Sequence, residues 1–213
     1  LDSQLEELRQ QQAKITQLYQ KRAHKITTQR QQQAGALSQK VTTLLHQLGL
    51  EGSLFEVQLI TLDESLHPYG QEQIEFCVST NPGQPIQPLA KVVSGGELSR
   101  ISLALQVVTA AYYRPPTLIF DEVDVGIGGN TADIIGSMLQ TLAQEQQVLC
   151  ITHLAQIAAK GERHFQIKKQ VANNTTLSAV KQLTTRERID EIARMLGGTK
   201  ATSAAHAKSL LQT

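Results

Sequence analysis

Hydrophobic positions in the first 48 residues recur at spacings of four and three: Leu1, Leu5, Leu8, Ile15, Tyr19 and Ile26, resumed by Leu37, Val41, Leu44 or Leu45, and Leu48. That is the period of a helix, not of a strand. No proline interrupts the stretch, and Gly35 is the only glycine before Gly49. Gln12, Arg22, Gln29 and Gln33 occupy the same seam. A helix this long with so patchy a heptad stripe predicts one strand of a coiled-coil arm over residues 1–48. It cannot bury its stripe alone and calls for a partner helix. A surface helix packed on its own domain is the less favoured reading at such length.

The period then changes. Residues 54–62 and 73–80 alternate as strands do, on either side of a turn-forming His67-Pro68-Tyr69-Gly70, and 81–88 reads as a loop. Ser94 is expected to cap a helix running through Leu98, Ile101, Leu105 and Val108 to about Tyr113, where Pro115-Pro116 stops it. A buried strand over 117–120, a helix over about 130–145, a strand over 147–152 and a short helix over 154–160 follow. Residues 165–169 and 176–181 predict a hairpin turning at Asn173-Asn174. Thr184 and Glu187 form a capping box for a helix to Leu196, ended by Gly197-Gly198. Strands alternating with helices make residues 49–213 an α/β domain, a parallel sheet with flanking helices and hairpins.

Three short patterns carry the chemistry. Residues 117–122, Thr-Leu-Ile-Phe-Asp-Glu, lie 23 positions after Ser94-Gly95-Gly96-Glu97 and 31 before His153. An apolar strand ending in Asp-Glu delivers two carboxylates to its C-terminal edge, where ligands bind in open α/β sheets. A Ser-Gly-Gly opening a helix offers free backbone N–H groups and a positive dipole end to phosphate. His153, just past a second apolar strand, reaches the same edge. Asp121 is then suited to a Mg²⁺ ion or its bound water, Glu122 to orienting an attacking water, and His153 to a phosphate oxygen. Each piece alone has a plainer reading, as a loop start, an N-cap or a surface residue, and the weight lies in their order. Together they make half of a nucleotide-hydrolysing site. The other half, Gly-x-x-x-x-Gly-Lys-Ser/Thr, is missing, since no Gly-Lys dipeptide occurs in the chain. A piece of a longer protein is expected, inactive by itself.

Composition adds two constraints. The net charge of +1 hides an asymmetry: residues 1–50 hold seven Lys/Arg against three acids, and none of those acids lies beyond Glu7. Lys21, Arg22 and Lys25 on this basic helix are candidates for DNA phosphate contacts; a solvated face opposite an acidic partner strand is the favoured alternative. Cys77 and Cys150 sit in separate apolar runs and form no metal or redox motif, which fits buried thiols in a reducing cytoplasm. No apolar stretch approaches a membrane span, so no membrane partner is expected.

These residues resemble the ABC ATPase superfamily. Residues 93–99 are similar to its signature motif, 117–122 to its Walker B strand and Thr152-His153 to its switch histidine. The long helix ahead of them resembles the SMC-like branch, and residues 75–82, 91–105, 120–127, 150–157 and 193–198 sharpen this to bacterial DNA-repair members of that branch. The resemblance covers essentially the whole chain as the C-terminal portion of such a protein. It implies ATP and Mg²⁺ as cofactors, and action on DNA double-strand breaks at the nucleoid. The implied partners are the protein's own N-terminal Walker A half, a homodimer through ATP-sandwiched heads, and the recombinase RecA. Under it Ser94, Gly95, Gly96 and Glu97 act in trans on ATP held by a second head, while Asp121, Glu122 and His153 act with the Walker A of their own. The usual D-loop Asp aligns with Gly128, which leaves Asp124 as the candidate cross-dimer contact. Two other classes stay open: a catalytically incomplete coiled-coil and dimerisation scaffold, and, less favoured because of the basic helix, the nucleotide-binding domain of a transporter.

Overall fold

The computed structural model describes residues 2–63, 65–91, 94–110, 112–172, 175–197 and 200–212. The expected hairpin turn at Asn173-Asn174, together with Val93 and Gly198 of the quoted motifs, lies outside the described residues. Two compact units are present. The first joins residues 1–46 to 50–93, and the second joins 47–49 to 94–213.

In the first unit a single helix, α1 (Asp2–Gln47), is followed by β1 (Leu54–Thr61), β2 (Glu72–Ser79) and the two-residue β3 (Gln87–Pro88). The strands form an antiparallel sheet in the order β1-β2-β3, with Leu54 opposite Ser79 and Thr61 opposite Glu72. Strand β1 is therefore an edge, and an edge leaves unpaired backbone groups. Helix α1 closes it with hydroxyls one turn apart: Val57 N–H donates to Ser38 Oγ at 3.0 Å, and Phe55 N–H to Thr42 Oγ1 at 3.0 Å. Further up the helix, Arg30 pairs with Glu72 at 3.0 Å and donates to the Tyr69 carbonyl at 2.7 Å. Tyr19 donates its hydroxyl to the His67 carbonyl at 3.0 Å.

The packed face of α1 agrees with the expected seam at Tyr19, Val41 and Leu45 and departs from it between them. From Tyr19 onward it runs through Ala23, Thr27, Arg30, Ala34, Ser38, Val41 and Leu45, one residue away from the Arg22–Ile26–Gln29–Gln33 line. Small and hydroxyl-bearing side chains let the helix come close enough to bond strand and turn, which bulky seam residues would prevent. Packing on its own unit thus takes this half of the helix. Before Tyr19 the apolar stripe is bare, with Leu8 63% and Ile15 64% exposed.

The second unit contains α2 (Gly95–Thr109), β4 (Thr117–Phe120), α3 (Gly129–Leu142), β5 (Gln147–Cys150), α4 (Ala155–Lys160), β6 (Phe165–Ala172), β7 (Thr175–Gln182), α5 (Thr185–Leu196) and α6 (Lys200–Leu210). Strands β4 and β5 pair in parallel, Thr117 opposite Gln147 and Phe120 opposite Cys150. Their connection is α3, which buries Ala132, Ile135, Leu139 and Leu142. Gly136 lets α3 approach α4, since a Cβ there would meet Lys160 Cγ at 3.0 Å and Ile157 Cα at 3.5 Å. A second cluster joins Ala155 and Ala159 of α4 to Ile192 of α5 and Ala207 of α6. The sequence pattern did not anticipate α6. Strand β4, expected to be buried, is covered on one side only: Phe120 is buried while Ile119 is 67% exposed.

The capping box of α5 forms as expected: Thr184 N–H donates to Glu187 Oε2 at 3.0 Å, and Glu187 N–H to Thr184 Oγ1 at 3.4 Å. Lys181 adds an ion pair to Glu187. Bonding by Lys181 first, and then by Thr184, lowers the Glu187 carboxyl from its ordinary 4.5 to about 2. A depressed carboxyl stabilises the fold above its unfolded value and loses that contribution as pH falls through its folded one. The stability difference between wild type and Glu187→Gln is therefore expected to be constant above about pH 5 and to vanish between 4.5 and about 2 in denaturant titrations. Thr42→Val, which strips the β1 edge of a partner, is expected to cost about 1–3 kcal/mol in the same assay.

Candidate functional site

Ser94 caps α2 in extended conformation (φ −87°, ψ 118°), and its hydroxyl accepts from Glu97 N–H at 3.4 Å. The cap leaves the other first-turn N–H groups of the helix, including those of Gly95 and Gly96, without a helical acceptor. Gly95 is bare at a point where Glu122 reaches it. A Cβ there would clash with Glu122 Oε2, the far end of a flexible side chain, so the carboxylate rests against the bare α-carbon. Gly96 is buried, and a Cβ there would meet Val125 Cβ at 3.1 Å and the Glu122 carbonyl at 3.5 Å. Helix α2 and the loop after β4 are thus in contact.

Three further bonds hold that loop. Ser99 donates its hydroxyl to the Asp121 carbonyl at 2.6 Å. Arg100, buried at 7% exposure, donates Nη1 to the Val125 carbonyl at 3.2 Å. Asp121 Oδ1 accepts from Glu122 N–H at 2.9 Å. Glu122 itself has φ 57°, the one described non-glycine residue in the left-handed region. That backbone costs a non-glycine residue on the order of 1 kcal/mol and persists only where neighbours enforce it. Asp121 and Glu122 are both exposed.

Asp124 is where the structure departs from expectation. A cross-dimer contact needs an exposed carboxylate, and Asp124 is 2% exposed. Its Oδ2 accepts from Thr152 Oγ1 at 2.5 Å and His153 N–H at 2.9 Å, and His153 Nδ1 lies 3.0 Å from it in ion-pair range. The His153 ring beyond it is 68% exposed. Gly128, at the usual D-loop position, caps α3 without a side-chain bond. The structure therefore brings Ser94, Gly95, Gly96, Glu97, Asp121, Glu122, Asp124 and His153 into one unit, whereas Lys21, Arg22 and Lys25 lie exposed on α1 of the other. Sequence reasoning passed over Ser99 and Arg100 as functional positions. The available signal was Arg100 itself, a cation four residues after Gly96 on the face that buries Ile101 and Ala104.

With the geometry in place, the comparisons are decisive for family. The family model for the RecF/RecN/SMC N terminal domain matches residues 2–176. The chain belongs to the RecF/RecN/SMC family. It is 47% identical over 186 residues to the DNA repair protein RecN of Xylella fastidiosa, covering 87% of this chain and 33% of that protein. Identity to the DNA repair protein RecN of Vibrio cholerae is 44% over 191 residues, covering 89% and 34%. The chain thus spans about a third of the length of these curated relatives. Among solved structures, an Smc head domain with a coiled coil and joint from Pyrococcus yayanosii aligns with a TM-score of 0.54 at 17% identity, over 81% of this chain and 31% of that one. At that identity the likeness shows the fold: an α/β lobe of an SMC-type head. No helix among the described residues is long and apolar enough to cross a membrane.

Residues available to a cation are few. No cluster of three or more His, Cys, Asp or Glu forms among the described residues. Asp121 offers one exposed carboxylate, which fits a Mg²⁺ ion that keeps its waters and draws its remaining ligands from phosphate. Cys150, at the end of β5, is not reactive chemistry: burial first, then the Asp124 and Asp121 carboxylates, push its thiol up to about 12. Burial also raises Cys77. Neither thiol is expected to react with Ellman's reagent near pH 8 in the folded chain, and both should react in denaturant; rapid labelling of one thiol under native conditions would refute this.

Proposed function

We propose that this chain is the C-terminal half of an SMC-like ATPase head, which binds and hydrolyses ATP at a head–head interface in recombinational repair of DNA double-strand breaks. The observation that carries the reading is the convergence, in one unit, of the capped Ser94-Gly95-Gly96 helix start, the Asp121-Glu122 strand end and an outward-facing His153. RecN relatives at 44–47% identity, named for DNA repair, support its biological setting. Bare apolar side chains on the parallel strands and beyond, Ile119 at 67%, Leu149 at 44% and Ile151 at 53% exposed, support completion of the head by further chain, the half that carries Walker A.

In this reading each group has one task. Ser94, the Gly95 and Gly96 amides and the Glu97 end of the first turn present N–H groups and a hydroxyl to the phosphates held by a second head. Asp121 is the ligand for Mg²⁺, which when bound offsets phosphate charge. Glu122 orients or deprotonates the attacking water, and His153 bonds the terminal phosphate. The contact seen between Glu122 and Gly95 sets a condition: the carboxylate swings off the glycine before that glycine meets a phosphate. Only the far end of a flexible side chain has to move.

In the full-length parent protein, Glu122→Gln is expected to slow hydrolysis by about 10²-fold or more while sparing ATP binding, because the amide keeps the shape but not the base. Turnover by single-round ATP hydrolysis and affinity by a fluorescent ATP analogue read the two effects separately. Loss of nucleotide binding in that variant, or robust turnover by the present chain alone, would refute the assignment.

A further inference from the structure

Asp124 carries a task that neither the family match nor the strand-end motif assigns to it. We propose that Asp124 is the positioning residue of His153: its buried carboxylate holds the imidazole proton on Nδ1 and leaves Nε2 as the nitrogen turned outward to the terminal phosphate. The inference rests on the ATPase reading for what Nε2 meets, but not for the tautomer itself.

The geometry is specific. His153 Nδ1 lies 3.0 Å from Asp124 Oδ2, close but outside hydrogen-bond geometry; an ionised carboxylate only accepts, so a lone pair on that nitrogen would face negative charge and a proton there is favoured. In a neutral imidazole, that makes the other nitrogen the lone-pair site. The same oxygen also takes the His153 backbone N–H at 2.9 Å, which fixes the side chain relative to its own main chain. Thr152 Oγ1 accepts from Leu154 N–H at 3.0 Å, which leaves its own proton for Asp124 at 2.5 Å. The carboxylate in turn belongs to the loop that Gly96, Ser99 and Arg100 hold against α2. With the Asp124 side chain 3% and the His153 side chain 68% exposed, one partner is anchored and the other is presented. An orienting group behind an imidazole governs which nitrogen it offers, as in a Ser-His-Asp arrangement.

The test reads the proton directly. Long-range ¹H–¹⁵N correlation spectra of the labelled chain, recorded near pH 9 so that ordinary imidazoles are neutral, report the tautomer of each of the six histidines. His153→Gln identifies the His153 signals by their loss. The proposal expects the proton on Nδ1 in the wild type and its transfer largely to Nε2 in Asp124→Ala, with folding checked by circular dichroism. A wild-type His153 protonated on Nε2 overturns the proposal whether or not any variant folds. In the full-length parent, Asp124→Asn is expected to lower kcat by about tenfold or more, the scale of loss when a group behind a functional histidine is removed. KM for ATP should stay within about twofold. An unchanged kcat in a folded variant also overturns it. If the wild-type parent hydrolyses no ATP, the ATPase reading fails and the tautomer measurement still decides the positioning of His153.

Discussion

The loop after β4 is pinned from two sides by directed hydrogen bonds. From one side Ser99 and Arg100 of α2 hold the Asp121 and Val125 carbonyls, and Gly96 lets the helix come within van der Waals distance of Val125. From the other side the buried Asp124 carboxylate collects the residues that follow β5. The two parallel strands bring these pieces to one edge, but strands alone do not set the angle at which side chains leave it. The pinned loop does, and it holds Glu122 in a left-handed backbone that isolated chain would abandon.

The antiparallel unit solves a different problem by related means. An exposed strand edge invites wrong pairing, and β1 is an edge. Ser38 and Thr42 put hydroxyls where a neighbouring strand would put backbone groups. A helix whose face is Ala, Thr, Ser and one Arg has little apolar surface to bury and relies on directed bonds instead. Hydrophobic packing takes over only near its end, where Val41 and Leu45 are fully buried.

Much apolar surface stays uncovered in the second unit. Alternate residues of a strand point to opposite faces. Gln166 and Lys181 bond Glu191 and Glu187 of α5, so the paired Ile167 and Val180 lie on the other face of the hairpin, 60% and 67% exposed. The hairpin thus turns apolar side chains outward on its far face. Such a face accords with a chain that spans about a third of its relatives' length.

Local chemistry was legible in the sequence wherever a residue acts on its neighbours. Period four-and-three gave α1, alternation gave β1 and β2, and Thr184 with Glu187 gave the start of α5 to the residue. The Asp-Glu pair after an apolar run marked the strand end, and Ser94 before two glycines marked a cap, because each signal spans only a few residues. Contacts between distant residues were not legible. That Glu122 rests against Gly95, 27 positions back, or that Asp124 is buried beside His153, depends on how two helices and two strands converge. The shift of the α1 face by one residue belongs there too, since periodicity records which side chains are apolar, while the sheet edge decided which small polar ones it could use. Backbone period is a property of the chain; the partner of a polar group is decided only when the chain has folded around it.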